Sequence, residues 1–558
     1  MSRLLTLTAR HAALLLALAP AAGAQHIHWT FGGGSATPGD LLGQSVALLH
    51  EPAAAGHHDV IVGAPGDTDG QYGGSVWVLR GDDDSIVLHS HHGALGSELG
   101  FAVAAVGDVD GDGHEDYAAG EPGRDVGATD AGGFAVYSGA TGNFLYERFG
   151  VQAGARLGEV LAGVGDVTGD GFGDFLVGAP SWHGPLGTLN PDRGYVALCN
   201  GKSGGIVKEW IGAHDKDRLG AALAGLPDLD ADGRPEFALG EPGLEVGSPF
   251  SILDAGGCRV YSGTTKTLLV EVFGSSASEA LGSSVCTLGD SDKDGKLEFA
   301  VGGPGWSNER GHVVVCEGPT AKLVTTITGN EFTADGDRFG SAVGPAGDLD
   351  KDGRDDLIVT ANQDHPTAGG YARAIHSSDW SVYGFQFPGL PGAGFGRNVA
   401  SGFDVNGDGW PDAFLGLPEF DLGSDAGFVR GYDFVIHQGD AGIPAFGPAT
   451  LDIYGTKLFT GGQADLLITG ATPNKPVFLL ASPQQAVVGF KGGTLVPNAA
   501  FAVIFVLQAD AAGKVYAPGI PGGGAGGVVL VYVQALMQSL DAPQGWWLTN
   551  ALEVLFYA

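Results

Sequence analysis

Short apolar runs recur along residues 42–434 at a regular interval. One kind is an apolar stretch closed by small residues, as in DVIVGAP (59–65), DFLVGAP (174–180) and EFAVGGP (298–304). A Gly-led run with apolar positions follows it, as in GGSVWVLRG (73–81), GGFAVYSG (132–139) and GHVVVCEG (311–318). A looser run such as FLYERFG (144–150) ends each set. Runs this short, rich in Val, Ile and Phe and bounded by Gly and Pro, predict strands rather than helices. Each set opens with Leu or Phe before Gly: Leu42-Gly43, Leu99-Gly100, Leu157-Gly158, Leu219-Gly220, Leu281-Gly282, Phe339-Gly340 and Phe395-Gly396. Successive opening glycines lie 56 to 62 residues apart, a period that marks a repeat architecture.

Four short strands per unit fit a propeller blade, and seven units fit a seven-bladed β-propeller. The seventh unit lacks an outer strand after GFVRGYDF (427–434). The segment IHWTFGG (27–33) mirrors LYERFGV (145–151), so an N-terminal strand is expected to complete the last blade. Such closure removes an exposed edge, and deleting 25–34 is expected to destabilise the ring. The predicted fold is all-β, with the propeller over 25–436. From about Asp440 the repeats stop and charges become sparse. Strand-like runs such as AFAVIFVLQAD, GGVVLVYVQALMQ and WWLTNALEVLFYA, separated by Gly/Pro/Asn turns, predict a C-terminal β-sandwich over 437–558.

Residues 1–24 have the pattern of a signal peptide. Arg3 and Arg10 give a positive start, His11 to Ala19 is an Ala/Leu-rich core too short to span a membrane, and Ala22-Gly23-Ala24 supplies small residues for cleavage before Gln25. The mature chain is therefore expected outside the cytoplasm: released, periplasmic or cell-surface associated. The longest later apolar runs, 499–509 and 526–537, are short and strand-like.

Between the first two runs of six units lies an acidic loop. Asp108, Asp110, Asp112 and Asp116 occupy positions 1, 3, 5 and 9 of the first, with Gly113 at position 6. The others carry Asp166, Thr168, Asp170 and Asp174; Asp228, Asp230, Asp232 and Glu236; Asp290, Asp292, Asp294 and Glu298; Asp348, Asp350, Asp352 and Asp356; and Asp404, Asn406, Asp408 and Asp412. Alternate side chains of a short loop converge on one centre, and Gly permits the sharp turn. Four carboxylates so placed repel one another without a cation. These positions are read as six calcium sites, structural in role, because oxygen-only ligands on a short loop hold two strands in register. The loop before Asp59 has Ala53 and Ala55 at the ligand positions, and no metal is expected there.

The net charge of −36 becomes −38 without Arg3 and Arg10, and six divalent cations would bring it to about −26. That balance argues against nucleic acid or an anionic membrane as partner. Cys199, Cys258, Cys286 and Cys316 allow three pairings. First and third strands of a blade are not neighbours, so Cys286–Cys316 is geometrically poor, and free or buried thiols are expected. His89 and His91 share a face at period two, which could hold a transition metal; solvated outer-strand positions are the plainer expectation. No zinc-protease motif or phosphate loop occurs.

The units resemble FG-GAP repeats, as in the integrin alpha-subunit propeller. The opening Phe/Leu-Gly corresponds to FG. Gly63-Ala64-Pro65 and Gly178-Ala179-Pro180 correspond to GAP, loosened to Gly120-Glu121-Pro122, Gly240-Glu241-Pro242 and Gly302-Gly303-Pro304. Unit six departs, with Thr360-Ala361-Asn362. The resemblance covers about 27–434 and implies calcium in the six loops. The tail is similar to a C-terminal module of secreted bacterial proteins, on GIPAFG…LLITGATPNKPVFLLAS and DAPQGWWLTNALEVLFYA. Trp546-Trp547 is read as one core and one rim residue, with a sugar-stacking platform as the alternative. The functional expectation is a non-catalytic adhesion or protein-binding module with an extracellular protein or glycan ligand. A lectin-like propeller and, more remotely, a secreted hydrolase are the alternatives. Binding is expected on the rim opposite the loops, at the insertions 181–194 and 244–257.

Overall fold

The computed structural model describes residues 26–31, 39–50, 57–67, 73–81, 86–184, 192–247, 252–329, 336–350, 352–362, 370–382, 387–388, 394–405, 411–419 and 427–433, and the strands between 450 and 556. Two compact units are present, Ile27–Phe434 and one that takes in Val435–Ala558. Among the described residues no helix is long and apolar enough to cross a membrane.

The first unit is an all-β propeller. Six four-stranded sheets are each made from four consecutive strands, beginning with Ser45–Leu49, Asp59–Ala64, Ser75–Arg80 and Val87–His92. The remaining strands of this unit, Val399–Phe403, Asp412–Leu417 and Phe428–Asp433, share a four-stranded sheet with His26–Phe31. Six blades, not seven, are therefore contiguous stretches of chain. The other sheet is composite, and its edge at Phe428–Asp433 is covered by a strand from the opposite end of the sequence. The first strands touch their neighbours in turn, and Ser45–Leu49 also touches Val399–Phe403.

The second strand of each sheet is buried on both faces. Asp174–Ala179, Glu236–Glu241, Glu298–Gly303 and Asp356–Ala361 have every residue buried, which is why they read as continuous apolar runs rather than alternating ones. The outer strands are largely exposed, as Ile206–Ile211 shows. Aromatic contacts fill the space between blades, among them Phe134 on Phe175 at 5.3 Å.

The FG and GAP glycines meet across blade boundaries. Each opening glycine has φ between +82° and +90°, a region costly for residues with a Cβ. A Cβ on Gly120 would lie 2.0 Å from the carbonyl oxygen of Gly158, and one on Gly302 would lie 2.1 Å from that of Gly340. The seam repeats at the composite sheet, where a Cβ on Gly416 would lie 2.0 Å from the Gly43 oxygen. Unit six replaces the glycine with Thr360, whose hydroxyl donates to the Gly396 oxygen at 2.6 Å. The departure from GAP thus exchanges backbone proximity for a side-chain hydrogen bond.

Among the described residues the second unit contains three sheets. Thr450–Gly455, Gln463–Thr469 and Val515–Pro521 form one, and Gln485–Phe490 pairs with Gly493–Pro497. The largest joins Val503–Gln508, Pro476–Ser482, Val529–Gln538 and Trp546–Leu548, with Leu552–Phe556 also on Val529–Gln538.

Candidate metal centres on one rim

Every acidic loop joins the first strand of a sheet to the second, so the loops gather on one rim. Their shape follows from two devices. The position-6 glycine has φ of +83° to +93° in the five loops where it is described, and its N–H turns back onto the position-1 carboxylate. Gly113, Gly171, Gly233, Gly295 and Gly353 donate to Asp108, Asp166, Asp228, Asp290 and Asp348 at 2.8–2.9 Å. The position-9 carboxylate closes the loop from the other side. Asp116, Asp174, Asp356 and Asp412 accept from the N–H of Val109, Thr168, Leu349 and Val405 at 2.7–3.1 Å. Glu236 accepts from Leu229, and Glu298 from Ser291 at 2.7 Å.

The position-9 Asp also holds the turn after the third strand. Asp116 accepts from Gly139 at 2.9 Å, Asp174 from Gly201 at 3.1 Å and Asp356 from Ser377 at 2.9 Å. This carboxylate is therefore a clamp between strands as well as a candidate ligand, a role the spacing alone does not reveal.

Carboxylate oxygens lie within 4.8 Å of one another in four loops: Asp228, Asp230, Asp232 and Glu236; Asp108, Asp110 and Asp116; Asp290, Asp292 and Asp294; Asp348, Asp350 and Asp352. Asp112, Glu298 and Asp356 stand outside these groups. In the last loop Asp412 is fully buried and Asp404 is described, while Asn406 and Asp408 lie outside the described residues. Ala53 and Ala55 lie outside them too; Asp59 is buried, with His57 at 3.4 Å.

The donor set fits a hard cation best at residues 228–236. Glu236 is fully buried, and its Oε1 has no hydrogen-bond partner. Burial, reinforced by the charges of Asp230 and Asp228, pushes its carboxyl up to about 7. A buried carboxylate grouped with three more carboxylates is the arrangement a calcium ion satisfies. Burial likewise pushes Asp116 up to about 6.

The loop 166–174 differs. Its three acids are not among the groups of carboxylates within 4.8 Å of one another. The Asn200 amide donates to Thr168 Oγ1 at 3.2 Å and to Asp170 Oδ2 at 2.6 Å. That hydrogen bond, more than any other influence, holds the Asp170 carboxyl below its ordinary range. Arg234 and Lys266 both donate to the Val167 oxygen, at 3.0 and 2.7 Å. His376, at the place corresponding to Asn200, reaches Asp350 at 3.1 Å in its own loop. These residues escape a search for acidic spacing. Aligning the residues at the end of each third strand (Ser138, Asn200, Ser262, Glu317, His376) would have raised them.

The remaining sequence candidates resolve otherwise. His89 and His91 are neither a metal pair nor freely solvated. His89 Nε2 meets the Gly139 oxygen at 3.0 Å, and His91 stacks on Tyr137 at 3.9 Å with Nε2 2.7 Å from the Tyr117 hydroxyl. Both pack between blades, and burial lowers the His91 pKa to about 4. All four cysteines are free and buried. Ser75, Asp67 and His92 come together: the Ser75 hydroxyl donates to Asp67, and His92 Nδ1 lies 2.9 Å from that hydroxyl and 3.9 Å from Asp67, but Ser75 is fully buried, which closes its hydroxyl to a substrate. On the opposite rim, Trp306 stacks on buried His312 at 5.0 Å and Trp182 lies 5.9 Å from Tyr195. Parts of both long insertions lie outside the described residues.

The FG-GAP repeat family matches residues 158–199 and 339–374. The chain is similar to integrin alpha-V of Gallus gallus, 33% identical over 31% of this chain and 16% of that protein. It is similar to integrin alpha-4 of Xenopus laevis, 31% identical over 36% of this chain and 20% of the relative, and to integrin alpha-PS2 of Drosophila melanogaster, 36% identical over 26% and 10%. The chain thus matches a fifth or less of the length of these relatives. Among solved structures, that of the Dos1 propeller is similar at a TM-score of 0.38 and 11% identity over 68% of this chain and 75% of that one, too remote to inform the site. In repeats and in sequence the propeller is thus similar to FG-GAP repeat proteins and to integrin alpha chains.

Proposed function

We propose that this integrin-alpha-like propeller is a secreted, calcium-stabilised adhesion or protein-binding module and not a catalyst. The observation that carries the calcium reading is the convergence of Asp228, Asp230, Asp232 and the fully buried Glu236. Bound there, calcium supplies the positive charge these carboxylates lack and ties the first strand to the second. In this reading the composite sheet is the seventh blade, residues 1–24 are a cleaved signal peptide, and the strands after 437 form a sandwich. The partner is an extracellular protein held on the rim opposite the loops. The similarity to integrin alpha chains supports that class of partner.

Thermal unfolding of the mature protein with calcium, with magnesium and with chelator tests the metal reading. A calcium-specific rise in midpoint is expected, because a ligand that binds only the folded state stabilises it. Affinity is expected in the range of extracellular modules, about 10⁻⁴–10⁻³ M. No shift at millimolar calcium would sink it. Deleting 181–194 and 244–257 together tests the binding face. Unchanged capture of extracellular partners would remove that face from consideration.

A further inference from the structure

We propose that the loop 166–174 is closed to cations by the protein itself, with the Asn200 amide standing where the loop 228–236 leaves room for calcium. This rests on the reading of the acidic loops as calcium sites. Three independent features point the same way. The position-3 residue is Thr168, so the loop carries one carboxylate fewer than the loop 228–236. The Asn200 Nδ2 group donates into the loop, to Thr168 Oγ1 and Asp170 Oδ2, and uses the oxygens a cation would need. Two cationic side chains, Arg234 and Lys266, converge on the carbonyl of Val167 at position 2.

The amide is fixed in this orientation. Its Oδ1 accepts from the N–H of Ser203 at 3.0 Å and from the Ser203 hydroxyl at 2.8 Å, so the NH₂ end must face the loop. Rotating the oxygen inward to ligate a cation would break the bond from the Ser203 N–H, which can only donate. The loop 228–236 has Ser262 at the corresponding place, and its hydroxyl is turned to the N–H of Thr265 in its own turn. Arg234, although part of that loop, points away from it to Val167. One loop keeps its carboxylates open while its neighbour is neutralised from within.

Equilibrium dialysis of the full mature chain against calcium chloride tests this. Asn200→Asp exchanges the inward donor for a ligand with little change of shape. It is expected to bind one calcium more than the wild type, with the affinity of that loop at least about tenfold tighter, since a hydrogen bond to a charged group gives way to a direct ligand. Asp170→Asn in the wild-type background, which does not depend on the first variant folding, is expected to leave the number of bound ions unchanged. Equal counts for Asn200→Asp and wild type, or one ion lost in Asp170→Asn, would overturn the proposal while leaving calcium at the other loops intact. A chain that binds no calcium at all would overturn the calcium reading and this inference with it, a result distinct from an unchanged count.

Discussion

The loops 166–174 and 228–236 have nearly the same pattern and adjacent places on the rim, yet their charges are handled in opposite ways. In 228–236 four carboxylates converge and Glu236 Oε1 is buried without a donor. In 166–174 the Asn200 amide donates to Asp170, and a guanidinium and an ammonium from other parts of the chain hold the Val167 carbonyl. The difference lies outside both loops. It is set by the residue that follows the third strand and by side chains that cross from one blade to the next. A cation site here is a property of two strands, a turn and a neighbouring loop, so counting acidic loops overcounts open sites.

The largest expected effect is that of calcium itself. At calcium a hundredfold above Kd, each open site should add about 2.7 kcal/mol to folding stability. Calorimetry with and without chelator reads the total. A change no larger than one site supplies would mean that the grouped loops do not act alike. Next is the direct contrast between the two loops. Asp228→Asn should lose one bound calcium and about 2.7 kcal/mol of calcium-dependent stability under the same conditions, whereas Asp166→Asn should alter neither. Equal losses would erase the distinction between the loops.

A smaller effect probes the far end of the strand that begins at Glu236. Its last residue, Glu241, is buried, and burial pushes its carboxyl up to about 8 despite the Arg259 guanidinium beside it. Asp217, Glu241 and Glu271 together face one arginine, so a proton is retained. The folded state then binds a proton that the unfolded state releases above its ordinary 4.5, and stability should fall as pH rises from about 4.5 to 8. Glu241→Gln should flatten the pH dependence of the melting midpoint in that window at fixed calcium. An unchanged slope would show that Glu241 is ionised in the fold.

The smallest change is expected from Arg234→Met. Lys266 still holds the Val167 oxygen, so the loss should be about 1 kcal/mol, with no new calcium site. A new site in this variant would make Arg234, not Asn200, the group that closes the loop.

Much of the fold is legible in the chain. The opening Gly, the GAP-type Gly and the position-6 Gly each meet a steric demand that only a residue without a Cβ satisfies easily, so they recur in register and expose the period. Second strands buried on both faces must be apolar throughout, and they are readable for that reason. His26–Phe31 was visible as an outer strand without a blade, because its sequence matches that of the other outer strands. His89 and His91 were less readable. Period two places them on one face, but only the packing shows that this face meets Tyr117 and Tyr137 of the next blade.

The acidic spacing by itself determined where the rim gathers its carboxylates, since alternate positions of a short glycine-turned loop have to converge. Whether those carboxylates stay open was decided only by the tertiary structure. Asn200 lies 30 residues from Asp170, and Lys266 lies 99 from Val167, and no local rule brings such groups together. Blade packing places them within hydrogen-bond reach, and at that distance the Asn200 amide competes for the same oxygen lone pairs that a cation requires.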